Sequence, residues 1–539
     1  MSSLLLNIKQ RGIFHSIGIL LLVLLIGLPF IVIVYHLISA GTSQFDLLSQ
    51  IFESDVIYNS LFFLIFVILI AAVLGISTAW FISQYDFPGK KFLSWALILP
   101  ITVPTYIMAF TYVGILNYTG TWQGFLKNNF GESTADFFRF DVITPFWLVI
   151  FLALSLYPYV YLAARVAFSR QSSTLIEAGR SMGKNHWQIF FKIALPLARP
   201  AIIGGCILVG MEVLNDYGAM AFFGISTFTT SIVHAWQVDI HSALVLSSFL
   251  FLTIFILLML ERYSRRKKGF SESSRNKPLE AMPLKGKYKW VVFFICLLPF
   301  LFGFFIPVCQ LISWFLKTYL NVMDKDFFIM TYNSFTLALI SSLITTVIAI
   351  LLAHFYTYKR NNTAFSKQFV TIGYAIPGAI IAVGILIPAG SLGNSFDYLL
   401  IGTIPVMIYA FVVRFLAVAY NPIEASFEKN AQSLRESSRS LGKNKWLTLL
   451  KIETPVIRTA ILSAVILVFV DILKELPLTM ILRPFDFPTL ATNAFTYAKI
   501  NESVMQSSSA ALIIIFIGTI PILVLHRIMN SFMTEGNKK

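Results

Sequence analysis

Long apolar stretches alternate with short polar segments along the whole chain. Each stretch holds about 20 residues, the length that an α-helix needs to cross a hydrocarbon core roughly 30 Å thick. The pattern predicts twelve such helices, at about residues 13–38, 58–82, 92–116, 143–168, 200–223, 241–260, 289–316, 331–357, 367–389, 398–420, 457–482 and 508–526. We therefore expect an all-α membrane protein with twelve transmembrane helices.

The composition agrees with this pattern. Of the 539 residues, 57% are hydrophobic and only 12% are charged, whereas soluble globular domains carry roughly 25% charged residues. The first apolar run covers about residues 17–38 and is longer than the core of a secretory signal, which has about 7–15 residues. We expect this run to stay in the protein as the first membrane span.

Charge is distributed unevenly between the two sets of loops. The loops at 39–57, 117–142, 224–240, 317–330, 390–397 and 483–507 hold six basic and twelve acidic residues, although the whole chain has a formal net charge of +15. Lys and Arg accumulate on the cytoplasmic side of membrane proteins, so the other, basic set of loops and both termini are predicted to be cytoplasmic. The basic excess thus indicates topology and contact with anionic lipid, and we expect no nucleic acid as a partner.

A sequence repeat divides the chain. The stretch EAGRSMGKNHWQIFFKIALPLARPAI at 177–202 returns 259 residues later as ESSRSLGKNKWLTLLKIETPVIRTAI at 436–461, with 13 of 26 positions identical. VPTYIMA at 103–109 likewise resembles IPGAIIA at 376–382. We predict a first half at 1–265, a polar cytoplasmic linker at 266–288 and a second half at 289–539. Six spans in each half would give both halves the same orientation in the membrane.

Two segments, at 172–199 and 431–458, contain these copies and lie on the predicted cytoplasmic side; we name them the first and the second repeated segment. In each, a short helix is expected to end at Gly183 or Gly442, because glycine adopts the left-handed backbone of a helix cap. A second amphipathic helix should follow, and Pro196 or Pro455 should bend or start the next element. Both segments are basic and are expected to protrude from the membrane with an exposed Trp. Two such segments predict a partner with two equivalent binding sites.

Acidic side chains occur in the apolar span that follows each repeated segment. Glu212 and Asp216 in the first half align with Asp471 and Glu475 in the second. An i,i+4 spacing places both members of a pair on one helix face, and a charge at the bilayer centre costs about 2.5–3.5 kcal/mol on insertion scales. The four acids, with Tyr217 as a further oxygen donor, are therefore expected to line a cation pathway and to bind a metal ion transiently. The alternative is structural ion pairing with Lys474, Arg165 or Arg414.

The repeated segments resemble the EAA signature of bacterial ABC importer permeases, in which Glu, five residues, Gly, nine residues and Ile-x-x-Pro form the site for a cytoplasmic ATPase. Here Ala-Gly and Ser-Ser follow the two Glu residues in place of Ala-Ala. The resemblance implies a type I permease fold and two copies of a separate ATPase. It assigns the ATPase-coupling role to Glu177, Gly183, Lys184, Trp187, Pro196, Glu436, Gly442, Lys443, Trp446 and Pro455. The chain has no phosphate-binding GxxxxGK[ST] sequence, so we expect it not to be an enzyme: it binds no cofactor, and the partner hydrolyses ATP.

Further stretches point to a substrate. YPYVYLAARVAF at 157–168, LNDYGAMAFFGISTFTTSIVHAW at 214–236 and KELPLTMILRPFDFPTLA at 474–491 are similar to the permeases of ferric-iron importers. That likeness implies Fe³⁺ as the transported substrate, an extracytoplasmic binding protein as a partner, and the bacterial inner membrane as the location. Two alternatives stay open: an ABC permease for thiamine or a polyamine, and an ion-coupled secondary transporter.

Overall fold

The computed structural model is almost entirely helical. It describes residues 23–36, 38–39, 55–169, 171, 179, 181–266, 282–358, 373–395, 397, 399–430, 437–438, 440–500 and 503–536. Within these residues the β-structure consists of two short strands, Tyr85–Asp86 and Met282–Pro283, which pair in parallel. The end of the predicted linker is thus joined to the loop after Gln84.

The longer α-helices are Val23–His36, Val56–Gln84, Pro145–Ser169, Leu195–Asn215, Ile240–Arg266, Tyr288–Phe300, Ile306–Val322, Lys325–Tyr358, Gly378–Ser395, Ile404–Asn430, Arg458–Leu473 and Ser508–Gly536. The shorter α-helices are Lys90–Ala96, Thr105–Leu116, Thr121–Phe130, Glu132–Phe137, His186–Ile189, Gly218–Phe222, Phe228–Val238, Lys445–Thr448, Thr454–Val456, Pro477–Leu482 and Leu490–Lys499. Two 3₁₀ turns, Leu99–Thr102 and Gly373–Ala375, and three π-helical turns complete the helical elements of the described residues.

Eight continuous helical stretches in the described residues are long and apolar enough to cross a membrane. Two further stretches are bent: Lys90–Thr102 meets Thr105–Phe130 at 94°, and Trp446–Val456 meets Arg458–Leu473 at 78°. Counting each bent pair as one span gives up to ten. Two shorter apolar helices, Val23–His36 and Ser508–Leu523, coincide with the first and last predicted spans. The chain is therefore a multi-pass helical membrane protein.

Each π-helical turn directly precedes a proline. The turns Phe190–Ala194, Leu301–Phe305 and Leu449–Glu453 continue into α-helix, with Pro196, Pro307 and Pro455 in the first α-helical turn. Proline has no N–H, and its ring clashes with the carbonyl four residues earlier. A π-turn moves the hydrogen bonds to partners five residues apart. The helix continues past Pro196 and Pro307, whereas after Pro455 it bends by 78° at Ile457.

The contacts divide the chain into two compact units, each made of separate stretches. One unit comprises residues 1–48, 232–251 and 326–492, and the other comprises residues 49–231, 252–325 and 493–539. Each unit combines the main part of one predicted half with segments from the other. The division into halves at 1–265 and 289–539 remains a prediction about the sequence repeat.

Small residues allow the helices to pack closely. In the unit that contains residues 49–231, Gly75 and Gly205 both face Val160: a Cβ atom would lie 2.7 Å from Val160 Cβ at Gly75 and 2.9 Å from Val160 Cα at Gly205. In the other unit, Gly384 meets the carbonyl of Pro29 in the same manner, at 2.7 Å. Close backbone approach through small residues is typical of helix packing in membranes.

Candidate functional site

Both repeated segments contain the glycine turn that the sequence predicts. Gly183 has φ +75° and Gly442 has φ +72°. The Lys184 N–H donates to the Gly179 carbonyl at 3.1 Å, and the Lys443 N–H donates to the Ser438 carbonyl at 3.2 Å. This six-to-one hydrogen bond with a left-handed glycine is the Schellman termination of a helix. The same turn therefore forms twice, at positions 259 residues apart.

A cap starts the next helix in each repeated segment. The Asn185 side chain accepts a hydrogen bond from the Gln188 N–H at 2.8 Å, and the Gln188 side chain accepts from the Asn185 N–H at 3.2 Å. In the second segment the Asn444 side chain accepts from the Leu447 N–H at 2.7 Å. Since capping stabilises a helix by about 0.5–2 kcal/mol, both helices have a defined start directly after the glycine turn.

The two segments expose apolar side chains at matching positions. Trp187 is 69% exposed and Trp446 is 49% exposed. Met182 and Phe191 in the first segment, and Leu441 and Leu450 in the second, are exposed as well. Several exposed apolar side chains on a segment outside the predicted spans are typical of a protein-binding site. We name these two sets, Met182/Trp187/Phe191 and Leu441/Trp446/Leu450, the first and the second apolar patch.

The other predicted coupling residues differ in their surroundings. Lys184 is half-buried, whereas Lys443 is exposed. Pro196 lies in a helix that runs without a break from His186 to Asn215, whereas the helix after Pro455 bends by 78° at Ile457. Glu177 and Glu436 lie outside the described residues.

The helices that carry the acids end earlier than the i,i+4 pattern predicts. The helix Leu195–Asn215 ends before Asp216, whose backbone is extended, and the helix Arg458–Leu473 ends before Glu475. A short helix then follows in each case, Gly218–Phe222 or Pro477–Leu482. We name these pairs of helices the first and the second broken helix. The prediction that both acids of a pair share one helix face was therefore wrong, because the second acid lies in the break.

The acid in each break caps the short helix that follows. Asp216 Oδ1 accepts a hydrogen bond from the Ala219 N–H at 2.9 Å, and Glu475 Oε1 accepts from the Leu478 N–H at 3.3 Å. A carboxylate at a helix N-terminus satisfies an otherwise unpaired N–H and interacts favourably with the helix dipole. Irregular backbone at membrane depth is tolerated where such groups satisfy it.

The second half neutralises its capping acid with a buried arginine. Arg414 Nε lies 3.2 Å from Glu475 Oε2, and both side chains are buried. Arg414 also donates from Nη1 to the carbonyl of Ile376 at 2.9 Å. One turn earlier in the second broken helix, Asp471 pairs with Lys474 at 2.8 Å. Both acids of this half thus have a cationic partner, in line with the structural alternative for Arg414 and Lys474.

The first half has a serine where the second has this arginine. Ser155 lies 259 residues before Arg414 and donates to the carbonyl of Val103 at 2.7 Å. Val103 is the counterpart of Ile376 in the VPTYIMA and IPGAIIA stretches. Ser155 and Arg414 thus donate hydrogen bonds to equivalent carbonyls. The serine side chain is too short to reach the acid in the break, Asp216, as well. Asp216 is buried beside the Thr105 side chain and has no cationic partner among the described residues.

The remaining predicted pathway residues have ordinary contacts. Glu212 Oε1 accepts a hydrogen bond from the Tyr159 hydroxyl at 3.3 Å. The ring of Tyr217 packs on Phe495 with centroids 5.6 Å apart. Arg165, which the sequence analysis considered as a partner for an acid, donates to the carbonyl of Ser94 at 2.5 Å instead. Among the residues that the structure describes, no group of three or more His, Cys, Asp or Glu side chains could hold a metal ion.

One contact at the second repeated segment was not predicted. His354 Nδ1 lies 2.7 Å from Glu453 Oε2 in a buried pair, and the Trp446 ring stacks on the imidazole with centroids 6.2 Å apart. The first half has an apolar arrangement instead, in which Trp80 packs on Phe190 with centroids 5.0 Å apart. Comparing the halves position by position, and looking for polar residues that replace apolar ones, could have revealed this pair.

The described residues thus combine the helices of a multi-pass membrane protein with two glycine turns and two broken helices. Residues 71–268 match the family described as the binding-protein-dependent transport system inner membrane component. The matched part of the chain includes the first repeated segment and the first broken helix.

Similarity to named proteins extends over the whole chain. The Fe(3+)-transport system permease protein FbpB 2 of Haemophilus influenzae is 25% identical, over 94% of this chain and 97% of the relative. The putative ferric transport system permease protein FbpB 1 of the same organism is 26% identical, over 86% of this chain and 77% of the relative. The molybdenum transport system permease protein ModB of Escherichia coli is 30% identical, but over only 29% of this chain and 65% of the relative.

Proposed function

We propose that this chain is the fused permease subunit of an ATP-driven ABC importer for ferric iron. An extracytoplasmic binding protein delivers the iron, and two copies of a cytoplasmic ATPase provide the energy. The observation that carries this proposal is similarity along nearly the entire chain to a permease named for Fe(3+) transport, through both halves and the segment that joins them. The molybdenum permease, in contrast, is similar to less than a third of the chain.

The proposed topology has twelve spans with both termini in the cytoplasm. Eight predicted spans fall on continuous apolar helices, two on the bent pairs and two on the shorter helices Val23–His36 and Ser508–Leu523. A bent or short apolar helix can cross the membrane when neighbouring parts of the protein form hydrogen bonds with its unpaired backbone N–H and C=O groups. The excess of Lys and Arg in one set of loops supports the orientation.

Each repeated segment is proposed to bind one ATPase. The glycine turn and the asparagine cap hold the apolar patch in the same way in both segments. An aromatic residue at the centre of such a patch contributes strongly to binding, because its large surface loses water when the partner docks. Glu177, Lys184 and Pro196, with Glu436, Lys443 and Pro455, retain their proposed roles in this contact.

The iron pathway is proposed to pass the broken helices, where Glu212, Tyr217 and Asp471 are further oxygen donors. The halves contribute unequally. Arg414 already neutralises Glu475, so Glu475 mainly holds the second broken helix in place. Asp216 has no cationic partner among the described residues, and the Ala219 N–H and the Thr105 side chain that contact its carboxylate are uncharged. A hard cation such as Fe³⁺ prefers carboxylate oxygen, and Asp216 is the acid that we expect the passing ion to contact.

Transport in proteoliposomes tests the function. The chain is reconstituted with its ATPase and its iron-loaded binding protein, and ATP-dependent uptake of radioactive ferric iron, thiamine and spermidine is compared. We expect uptake of iron alone. Uptake of thiamine or spermidine without iron would overturn the assignment, and iron uptake that follows an ion gradient without ATP would favour a secondary transporter.

The unequal roles of the acids are tested in the same assay. Asp216→Asn should lower iron uptake at least about tenfold, which corresponds to ~1.4 kcal/mol of lost interaction, without changing the melting temperature. Glu475→Gln is the matched variant: it should lower the melting temperature, because it leaves Arg414 without its anionic partner in a buried site. Undiminished uptake by Asp216→Asn would show that Asp216 is only a helix cap.

A further inference from the structure

The buried pair His354 and Glu453 links the second repeated segment to a membrane span. His354 lies near the end of the helix Lys325–Tyr358, and Glu453 is the last residue of the π-turn Leu449–Glu453. The Nδ1–Oε2 distance is 2.7 Å, and the two side chains are only 3% and 1% exposed. A short contact in such a dry site fixes the direction of both side chains.

Trp446 extends this contact to the surface. One face of its ring stacks on the His354 imidazole, at an interplanar angle of 29°, while about half of the residue stays exposed as the centre of the second apolar patch. A force applied to Trp446 from outside therefore acts directly on His354 and, through Glu453, on the π-turn. Three side chains in contact connect the patch, the span and the turn.

The first half has no polar pair at the matching positions. Its polar contact between the repeated segment and the end of the span Val56–Gln84 lies elsewhere, from the Tyr85 hydroxyl to His186 Nδ1 at 3.4 Å. Trp80 is the counterpart of His354. Ser60 and Ser334 each accept a hydrogen bond from the backbone N–H of the first residue of a later helix. Trp80 and His354 each lie 20 residues after that serine. Ala194 occupies the place of Glu453, 259 residues earlier. The ring of Trp187 stacks within its own segment, on Phe191, with centroids 6.1 Å apart. Equivalent backbone thus carries an apolar contact in one half and a polar contact in the other.

A polar pair in this place is not needed for stability. Replacing a buried ion pair by apolar residues of similar volume is often neutral or stabilising, and the first half folds around Trp80 and Phe190 at these positions. What a buried polar pair adds is a preference for one geometry. The geometry concerned here is the angle between the second apolar patch and the helix Lys325–Tyr358.

We propose that His354 and Glu453 are positioning residues that transmit the movement of the ATPase from the second repeated segment to the membrane spans. The proposal rests on the proposed function, since it requires an ATPase bound at the apolar patches. In this proposal the second repeated segment acts on its span through the buried polar pair. The first repeated segment contacts its span mainly through apolar packing, Trp80 on Phe190.

The test separates binding, ATP hydrolysis and transport. The complete transporter is reconstituted with wild-type chain, His354→Ala, Glu453→Gln, and the double variant His354→Trp with Glu453→Ala, which copies the residues of the first half. ATPase capture in a pull-down, ATP hydrolysis stimulated by the loaded binding protein, and iron imported per ATP hydrolysed are measured. Glu453→Gln retains an oxygen acceptor for His354 and serves as the conservative control.

We expect His354→Ala and the double variant to capture the ATPase normally and to hydrolyse ATP, but to import at least about fivefold less iron per ATP. Glu453→Gln should keep most of the wild-type ratio. A wild-type ratio in the double variant would overturn the proposal, as would a parallel loss of ATPase capture and melting temperature with an unchanged ratio. If the wild-type chain itself fails to import iron or to capture an ATPase, the proposed function fails instead.

Discussion

Ser155 and Arg414 occupy equivalent positions in the two halves and donate hydrogen bonds to equivalent backbone carbonyls, those of Val103 and Ile376, at 2.7 and 2.9 Å. Only the arginine also reaches the acid in the break, Glu475, with Nε 3.2 Å from Oε2. The difference between these two residues therefore decides which broken helix carries a neutralised acid.

Transferring the arginine to the first half should block the pathway. Gly378 leaves room for Arg414 beside Glu475, whereas the first half has Thr105 at that position, so we pair Ser155→Arg with Thr105→Gly. The new guanidinium should neutralise Asp216, because an adjacent opposite charge stabilises a buried carboxylate. Iron uptake in proteoliposomes should fall at least about tenfold, with normal ATPase capture. Thr105→Gly alone, which removes the side chain beside Asp216, measures the part of the loss that comes from this second change. Full uptake by the double variant would contradict the role of Asp216.

Gly378 is predicted to tolerate no side chain. A Cβ atom there would overlap with Glu475 Oε1 and lie 3.0 Å from Leu478 Cβ and 3.1 Å from Arg414 Nη1. Gly378→Ala should therefore destabilise the protein by about 1–3 kcal/mol, as overpacking does in a close-packed core, and the melting temperature in detergent would report this.

Gly390 in the same helix provides the matched control. Its Cβ atom would meet only Ile401 Cδ1, at an ordinary 3.4 Å. Gly390→Ala should leave the melting temperature unchanged or raise it slightly, since alanine favours helix by roughly 0.5–1 kcal/mol. Equal melting temperatures for the two alanine variants would mean that the Arg414–Glu475 contact adapts freely.

Trp187 should matter for binding the ATPase and hardly at all for folding. Its side chain is largely exposed and stacks on Phe191, itself exposed. Trp187→Ala should weaken ATPase capture about 30-fold, the equivalent of ~2 kcal/mol for a central aromatic residue, at an unchanged melting temperature. Trp122→Ala is the control, because Trp122 is also exposed and stacks on Phe125 on the opposite predicted side of the membrane. Similar capture by both variants would exclude the first apolar patch as the contact.

Local signals in the sequence were sufficient for much of this structure. The apolar runs predicted the long helices, because a span depends on about 20 consecutive residues and little else. The glycine turns at Gly183 and Gly442 were predicted correctly as well, since a left-handed cap is a property of one residue. The exposed positions of Trp187 and Trp446 followed from the placement of their segments outside the spans.

Features that depend on packing between helices could not be predicted from the sequence. The i,i+4 spacing of Glu212 and Asp216 predicted a continuous helix, yet the helix ends at Asn215 because Asp216 caps the next one. Pro196 and Pro455 were predicted to bend or to start the next element. Pro196 lies in the first turn of the helix Leu195–Asn215 without a bend, whereas Pro455 starts the short helix Thr454–Val456 and is followed by a bend at Ile457; the sequence did not distinguish these two outcomes. From the sequence, Arg414 was only one of several possible partners for the acids, since the choice depends on which helix lies beside Glu475.

The glycine turns themselves provide the last prediction. No atom of the described residues would lie within 4 Å of a Cβ atom at Gly183 or Gly442. Among these residues a side chain would be opposed by the left-handed backbone alone, at a cost of about 1–2 kcal/mol. Gly442→Ala should weaken ATPase capture moderately, and Gly442→Pro should abolish capture and iron uptake because proline fixes φ near −65°, while the chain stays in the membrane. Gly124→Ala is the control: this glycine has equally open space but lies within the helix Thr121–Phe130. Retained capture by Gly442→Pro would show that the ATPase does not depend on this turn.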